Sequence, residues 1–128
     1  MVQRKKNFAQ VSKRKFEEGE GRSFVGRVQG KIFKGLVVRK GDKFFAFENL
    51  CRHLPIPLDL EDDQFFSHDH SFLQCQMHGA LYEINTGKCV GGPCVGSTLR
   101  SLVVHEEEHR LLIELPLILN EEEEGKKS

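Results

Sequence analysis

Two short cysteine–histidine motifs constrain this chain more than any other feature of its sequence. The first motif is Cys51-x-His53 and the second is Cys75-x-x-His78, which Gly79 follows directly. The 21 residues between the motifs leave room for a hairpin that brings them together. Thiolate and imidazole groups bind zinc, and they also bind a two-iron cluster in which cysteines hold one iron and histidines the other. The motifs therefore predict a metal centre and leave the choice between zinc and iron open.

The rest of the pattern favours short antiparallel strands. Residues 31–48 contain two β-rich runs around a Gly-Asp pair, which predicts a hairpin. Further hairpins are predicted over residues 65–75, around a polar SHDHS loop, over 80–90, around an Asn-Thr-Gly turn, and over 99–115. No stretch of a dozen residues shows helical periodicity. The expected fold class is therefore all-β, as a sandwich or a barrel.

Charge is concentrated at the two ends of the chain. Residues 1–22 are expected to be a flexible basic arm, and residues 117–128 an acidic disordered tail. Residues 23–116 are expected to form a single domain, with its metal-binding part at about 49–96. Basic residues equal acidic residues at 19 each, and the ten phenylalanines are not interleaved with a basic stripe, so nucleic-acid binding is not expected.

The sequence shows neither a membrane segment nor a secretion signal. No apolar run approaches the ~20 residues that cross a bilayer. The first 20 residues contain a basic segment without the apolar region of a signal peptide. We therefore expect a cytoplasmic monomer that does not contact membranes, in a compartment where thiols stay reduced or bind metal.

Together the motifs resemble those of the Rieske iron–sulfur family. The family motif is C-x-H followed by C-x-x-H-G, and this chain has CRH and CQMHG. The likeness continues through Tyr82, a Thr-Gly turn and Gly92-Pro93, which matches the loop that covers the cluster in that family. It extends over roughly residues 23–115. The resemblance implies a Rieske-like antiparallel β-sandwich with an inserted cluster-binding subdomain of two loops and a proline loop.

The resemblance also implies the cofactor and its ligands. One [2Fe–2S] cluster per chain is expected, with Cys51 and Cys75 holding one iron through thiolates, and His53 and His78 holding the other through imidazole nitrogens. Histidine is a neutral donor, so such a cluster is easier to reduce than one held by four cysteines. The implied ligand set leaves no open coordination position for a substrate.

The function implied by the resemblance is that of a one-electron carrier and not of an enzyme. A Rieske-type ferredoxin would pass electrons from a reductase to a partner such as an oxygenase. The chain is too short for the additional mononuclear-iron domain of the Rieske oxygenases. Two alternatives stay open, namely a zinc-stapled interaction module without redox function and a redox-sensing accessory subunit.

Several positions differ from the high-potential branch of the family. That branch has an additional cysteine in each motif, and these two cysteines join the loops, whereas Ile56 and Met77 stand at the matching positions here. Ala80 stands where that branch has a serine that donates a hydrogen bond to a cluster sulfide. Fewer hydrogen bonds to sulfur lower the potential, although Tyr82 keeps one possible donor. The chain therefore resembles the low-potential, ferredoxin-like branch.

The remaining cysteines and two of the histidines have other expected roles. Cys89 and Cys94 flank the Gly-Gly-Pro loop, and we interpret them as buried free cysteines that pack as small apolar residues. A reversible disulfide or a metal site are the alternatives. His68 and His70 either share a face suited to a metal or lie in an exposed hairpin turn, and the turn is the favoured interpretation.

Overall fold

Ten strands follow one another along the chain, separated by turns and short loops. The computed structural model describes residues 7–51, 57–59, 64–76 and 79–116. The strands are β1 (Phe8–Ser12), β2 (Gly21–Val28), β3 (Lys31–Lys40), β4 (Lys43–Glu48), β5 (Phe72–Gln74), β6 (Leu81–Glu83), β7 (Cys89–Gly91), β8 (Ser101–Leu102), β9 (Val104–Glu106) and β10 (Arg110–Glu114). These residues contain no helix, and hence none that could cross a membrane.

The strands form three antiparallel sheets. Their orders are β1-β10-β9, β2-β3-β4-β8 and β5-β6-β7. The all-β, antiparallel fold class expected from the sequence is thus confirmed. In the third sheet, β5 ends directly before Cys75 and β7 begins at Cys89. This sheet therefore flanks the second motif on both sides in the sequence.

The four-stranded sheet separates two hydrophobic cores. Along β3, Leu36 and Val38 pack into the core that also contains Cys51 and Cys75. Phe33 and Val37 point to the opposite side, into the core formed with β1, β2 and β10. Because strand side chains alternate between faces, a strand buried on both faces needs a continuous apolar run, and Leu-Val-Val supplies it.

The hairpins predicted from turn residues are confirmed. Strands β3 and β4 pair up to Lys40 and Lys43, on either side of a two-residue turn in which Gly41 has a φ of 64°. Strands β6 and β7 pair across the Asn-Thr-Gly turn, and β9 pairs with β10. Around the SHDHS loop, Phe66 and Leu73 form an antiparallel bridge.

The prediction of a flexible basic arm over residues 1–22 is wrong for residues 7–22. Strand β1 pairs with β10 over five residues, and β2 begins at Gly21. Val11 and Phe16 are buried in the second core. The basic residues 13–15 lie after β1, at the turn that follows it, whereas Ala9 and Val11 alternate with exposed residues along the strand and face the core. The rest of the arm, residues 1–6, and the acidic tail, residues 117–128, lie outside the described residues.

Candidate metal centre

The two predicted cysteine ligands lie in the same hydrophobic core. Cys51 follows β4 by three residues, and Cys75 follows β5 directly. Their exposures are 2% and 0%, and neither takes part in a disulfide. The two predicted histidine ligands, His53 and His78, lie outside the described residues. The structure thus places both thiols in one core, and the ligand roles of the two cysteines and of the two histidines stay predictions.

Two backbone hydrogen bonds join Cys75, at the start of the second motif, to Gly79 and Ala80, directly after its end. The N–H of Gly79 donates to the carbonyl of Cys75 at 2.7 Å, and the N–H of Cys75 donates to the carbonyl of Ala80 at 2.9 Å. Gly79 has a φ of 75°, a left-handed conformation that glycine adopts without the steric cost of a Cβ. This explains the glycine after the second motif in structural terms.

The structure describes one of the three departures from the high-potential branch. Ala80 is fully buried, whereas Ile56 and Met77 lie outside the described residues.

Asn49 bonds Leu58 and Asp59, a role that was not predicted from the sequence. Its side-chain oxygen accepts a hydrogen bond from the N–H of Leu58 at 2.7 Å, and its amide nitrogen donates to Asp59 at 3.0 Å. The carbonyl of Leu58 then accepts from the N–H of Gln76 at 2.8 Å, next to Cys75. Hydrogen bonds therefore link Asn49, two residues before the first motif, through Leu58 to Gln76 within the second motif. The available signal was an asparagine at a strand end, a residue that often bonds nearby loop backbone.

Tyr82 lies where its hydroxyl can reach a predicted ligand. Its Oη is 3.6 Å from Cys51 Sγ, and the side chain is fully buried. A cysteine that binds metal is a thiolate and has no proton, so in that state the tyrosine would be the donor. The position expected from the resemblance is consistent with this contact.

The structure corrects the interpretation of Cys89 and Cys94 as free cysteines. They form a disulfide, with their Cα atoms 6.0 Å apart, and both residues are buried. The prediction that they are buried is therefore right, and the prediction that they are unlinked is wrong. A five-residue separation in sequence does not fix the distance between two Cα atoms, whereas the bend at Gly91 and Gly92 brings them within disulfide range.

His68 and His70 lie in an exposed turn, as favoured from the sequence. His70 has a φ of 63°, and its ring lies 5.0 Å from that of Phe66, centroid to centroid. Between them, Asp69 accepts hydrogen bonds from the N–H of Ser71 and the hydroxyl of Ser67. These bonds favour the carboxylate and lower the pKa of Asp69. In the part of the chain that the structure describes, no three histidine, cysteine, aspartate or glutamate residues converge on a metal position.

The described residues fit an iron–sulfur cluster in their donor chemistry. They provide two buried thiols, a tyrosine hydroxyl directed at one of them, and backbone loops that are tightly turned after the second. A buried thiolate is unfavourable unless a positive charge or hydrogen-bond donors compensate it. An iron ion bound by both thiolates would supply that compensation.

Comparisons with known proteins identify the family. A model of the Rieske [2Fe-2S] domain matches residues 7–111. The ferredoxin of carbazole 1,9a-dioxygenase from Nocardioides aromaticivorans IC177 is similar in structure, with a TM-score of 0.63 and 24% identity, over 83% of this chain and 95% of that chain. No significant match was found among curated proteins.

Two further solved structures show the same architecture. The first is the complex of reduced oxygenase and oxidized ferredoxin in carbazole 1,9a-dioxygenase, with a TM-score of 0.66, 25% identity, and coverage of 84% of this chain and 92% of that chain. The second is a 2-oxoquinoline 8-monooxygenase component, with a TM-score of 0.67 and 20% identity over 88% of this chain and 26% of that chain. Because the family model spans most of the sequence, including both motifs, the chain belongs to the Rieske [2Fe-2S] domain family.

Proposed function

We propose that this protein is a Rieske-type ferredoxin, a one-electron carrier that takes electrons from a reductase and delivers them to a partner such as an oxygenase. The observation that carries the proposal is the pair of buried thiols, Cys51 and Cys75, in one core of a Rieske domain. The likeness to a ferredoxin component that is structurally characterised with its oxygenase supports the choice of partner class.

The cofactor of the family is a [2Fe–2S] cluster, which accepts and releases one electron. In our proposal, Cys51 and Cys75 hold one iron, and His53 and His78 hold the other. Protein ligands then fill the available positions, so the chain transfers electrons without binding a substrate at iron. Tyr82 stabilises the thiolate of Cys51, while the connected motif loops keep both cysteines out of water. We further propose a monomer in the cytoplasm, with residues 7–116 as one domain, since β1 and Phe16 belong to its second core, and with the cluster-binding part at about 49–96.

The zinc-stapled module is disfavoured, because the family binds iron and sulfide. Protein produced with sufficient iron and without added zinc should be red-brown and contain about two irons and two sulfides per chain. Elemental analysis together with the visible spectrum measures this directly. Titration with a chemical reductant should bleach the spectrum after about one electron per chain. A colourless protein with one zinc would contradict the proposal, as would a coloured protein that accepts no electron.

Tyr82→Phe should lower the reduction potential while preserving the cluster. Added negative charge in the reduced state strengthens a hydrogen bond to Cys51 Sγ, so removing the donor disfavours reduction. A differential loss of about 1 kcal/mol corresponds to roughly 40 mV for one electron. Redox titration followed by the visible spectrum measures the shift. Phe45→Leu, a change at a partly buried ring on the border of the same core, serves as a packing control. Equal shifts in both variants would show that the hydroxyl has no specific effect.

A further inference from the structure

The disulfide Cys89–Cys94 closes a small ring, which we call the disulfide loop and define as residues 89–94. Backbone hydrogen bonds to the nearby Ser97 close its base a second time. The N–H of Cys89 donates to the carbonyl of Ser97 at 2.8 Å, and the N–H of Ser97 donates to the carbonyl of Cys94 at 2.9 Å. Both sulfur-bearing residues are buried, whereas Gly92 and Pro93, at the tip, are exposed.

The tip of the disulfide loop lies directly on the backbone of the second motif. A Cβ added to Gly92 would be 2.9 Å from the Cα of Ala80, and 3.3 Å from both the nitrogen of Ala80 and the carbonyl oxygen of Gly79. Such distances leave no room for a side chain, so the two backbones are in close contact. Gly79 and Ala80 follow His78 directly in the sequence. Any movement of the loop tip therefore changes its contact with the backbone that directly follows the second motif.

The base of the loop lies next to Tyr82. In the ladder between β6 and β7, Tyr82 is opposite Cys89 and Leu81 is opposite Gly91, with a bulge between the two pairs. The same tyrosine contacts Cys51 of the first motif. The disulfide loop thus touches the second motif through its tip and is paired at its base with the residue that reaches the first.

We infer that the Cys89–Cys94 disulfide positions the cluster-binding motifs, by holding the disulfide loop against Gly79 and Ala80, and that reduction of this disulfide loosens the cluster. This inference rests on the proposed cluster site. The expected effect is local, because a crosslink that closes so short a loop restricts little of the unfolded chain. What it does restrict is the opening of a loop that contains two glycines, and such an opening would separate the tip from the backbone of Gly79 and Ala80.

The folded chain accommodates the reduced pair as well. Reduction breaks the S–S bond and adds two electrons and two protons, which a dithiol supplies while forming its own disulfide. Cys89 Sγ lies 3.3 Å from the carbonyl oxygen of Gly91, so the new thiol has a hydrogen-bond acceptor within reach. The reduced loop therefore keeps its core packing but loses the covalent link between its two ends.

The first test compares the iron-loaded wild type with the double variant Cys89→Ala and Cys94→Ala. Alkylation after denaturation, in protein purified without reductant, should modify two of the four cysteines of the wild type. The variant should bind the cluster with an unchanged spectrum. However, it should release iron to a chelator about tenfold faster, which corresponds to about 1.4 kcal/mol. Amide exchange at Gly79 and Ala80 should accelerate as well. Four modified cysteines in the wild type, or equal release rates, would overturn the inference.

A pair of glycine variants tests whether the effect passes through the contact at the loop tip. Gly92→Ala and Gly96→Ala both place alanine at a positive φ, of 86° and 101°, but only the Cβ at residue 92 meets other atoms. Gly92→Ala should accelerate iron release while the disulfide is intact, and Gly96→Ala should have a much smaller effect. Combined with the double cysteine variant, Gly92→Ala should add little, since both changes disrupt one contact. Full additivity, or equal effects of the two glycine changes, would contradict this route.

A dithiol separates the disulfide from the cluster. Dithiothreitol should accelerate iron release from the wild type more than from the double cysteine variant. Reduction of the cluster itself would affect both proteins equally, so the variant corrects for it. Equal acceleration in both proteins would refute the role of the disulfide. If the wild type carried no iron–sulfur spectrum at all, the proposed function would fail instead, so the two failures are distinguishable.

Discussion

Cys75→Ser should abolish cluster binding. Cys75 is fully buried, and in the proposed site its thiolate is one of two sulfur ligands to the same iron. A serine hydroxyl binds iron poorly and stays protonated, so the variant should contain almost no iron or sulfide and lack the visible spectrum. Iron and sulfide analysis of protein purified under identical conditions measures the loss. The matched control is the double variant Cys89→Ala and Cys94→Ala, which removes two buried cysteines from the same core but no proposed ligand. The control should retain its iron, although it releases iron to a chelator faster than the wild type. Iron retained at the wild-type level in Cys75→Ser would show that the ligands are misassigned.

Loss of the cluster should affect one side of the central sheet more than the other. The proposed site lies in the core shared by β3, β4 and the β5-β6-β7 sheet, whereas β1 and β10 belong to the opposite core. Because metal binding supplies part of the folding free energy of the loops that bind it, residues 75–94 should lose amide protection in Cys75→Ser. Strands β1, β2 and β10 should keep most of theirs. Unchanged protection over residues 75–94 would show that these loops are ordered without the cluster.

Val11→Asp should destabilise the fold by about 3–5 kcal/mol, because it places an uncompensated charge in a core. Val11 lies on β1 opposite Leu111 of β10, and both side chains are buried. For a domain of this size, the change should lower the unfolding midpoint by roughly 10 °C or more. Thermal and urea unfolding of the iron-loaded protein, followed by circular dichroism, measure the effect.

Gln10→Asp is the control for Val11→Asp. It introduces the same charge one residue earlier on the same strand, where the side chain is exposed. Its midpoint should stay within a few degrees of the wild type, because isolated surface changes usually alter stability by less than about 0.5 kcal/mol. Equal and small effects of both variants would mean that β1 does not dock in solution, as the flexible-arm interpretation of residues 1–22 assumed.

Features encoded within a few neighbouring residues were predictable. The β3–β4 hairpin follows from a Gly-Asp pair between two β-rich runs, because a two-residue turn determines how its flanking strands pair. The two cysteines proposed as iron ligands were identified from the motif spacing, since the order and separation of ligands are local properties, and the structure places both in one core. The exposed turn around His68 and His70 follows from its polar sequence, in which Asp69 bonds the backbone two residues on.

Only the tertiary structure decided features that depend on residues far apart in the chain. Strand β1 looked like a charged arm because its partner β10 lies near the other end of the sequence, and no local pattern shows that Val11 will face Leu111. Asn49 became important only when the loop at Leu58 came within reach of its side chain. The disulfide between Cys89 and Cys94 formed because the chain bends between them, and a disulfide depends on the distance and direction of two Cα–Cβ bonds, which the sequence does not state.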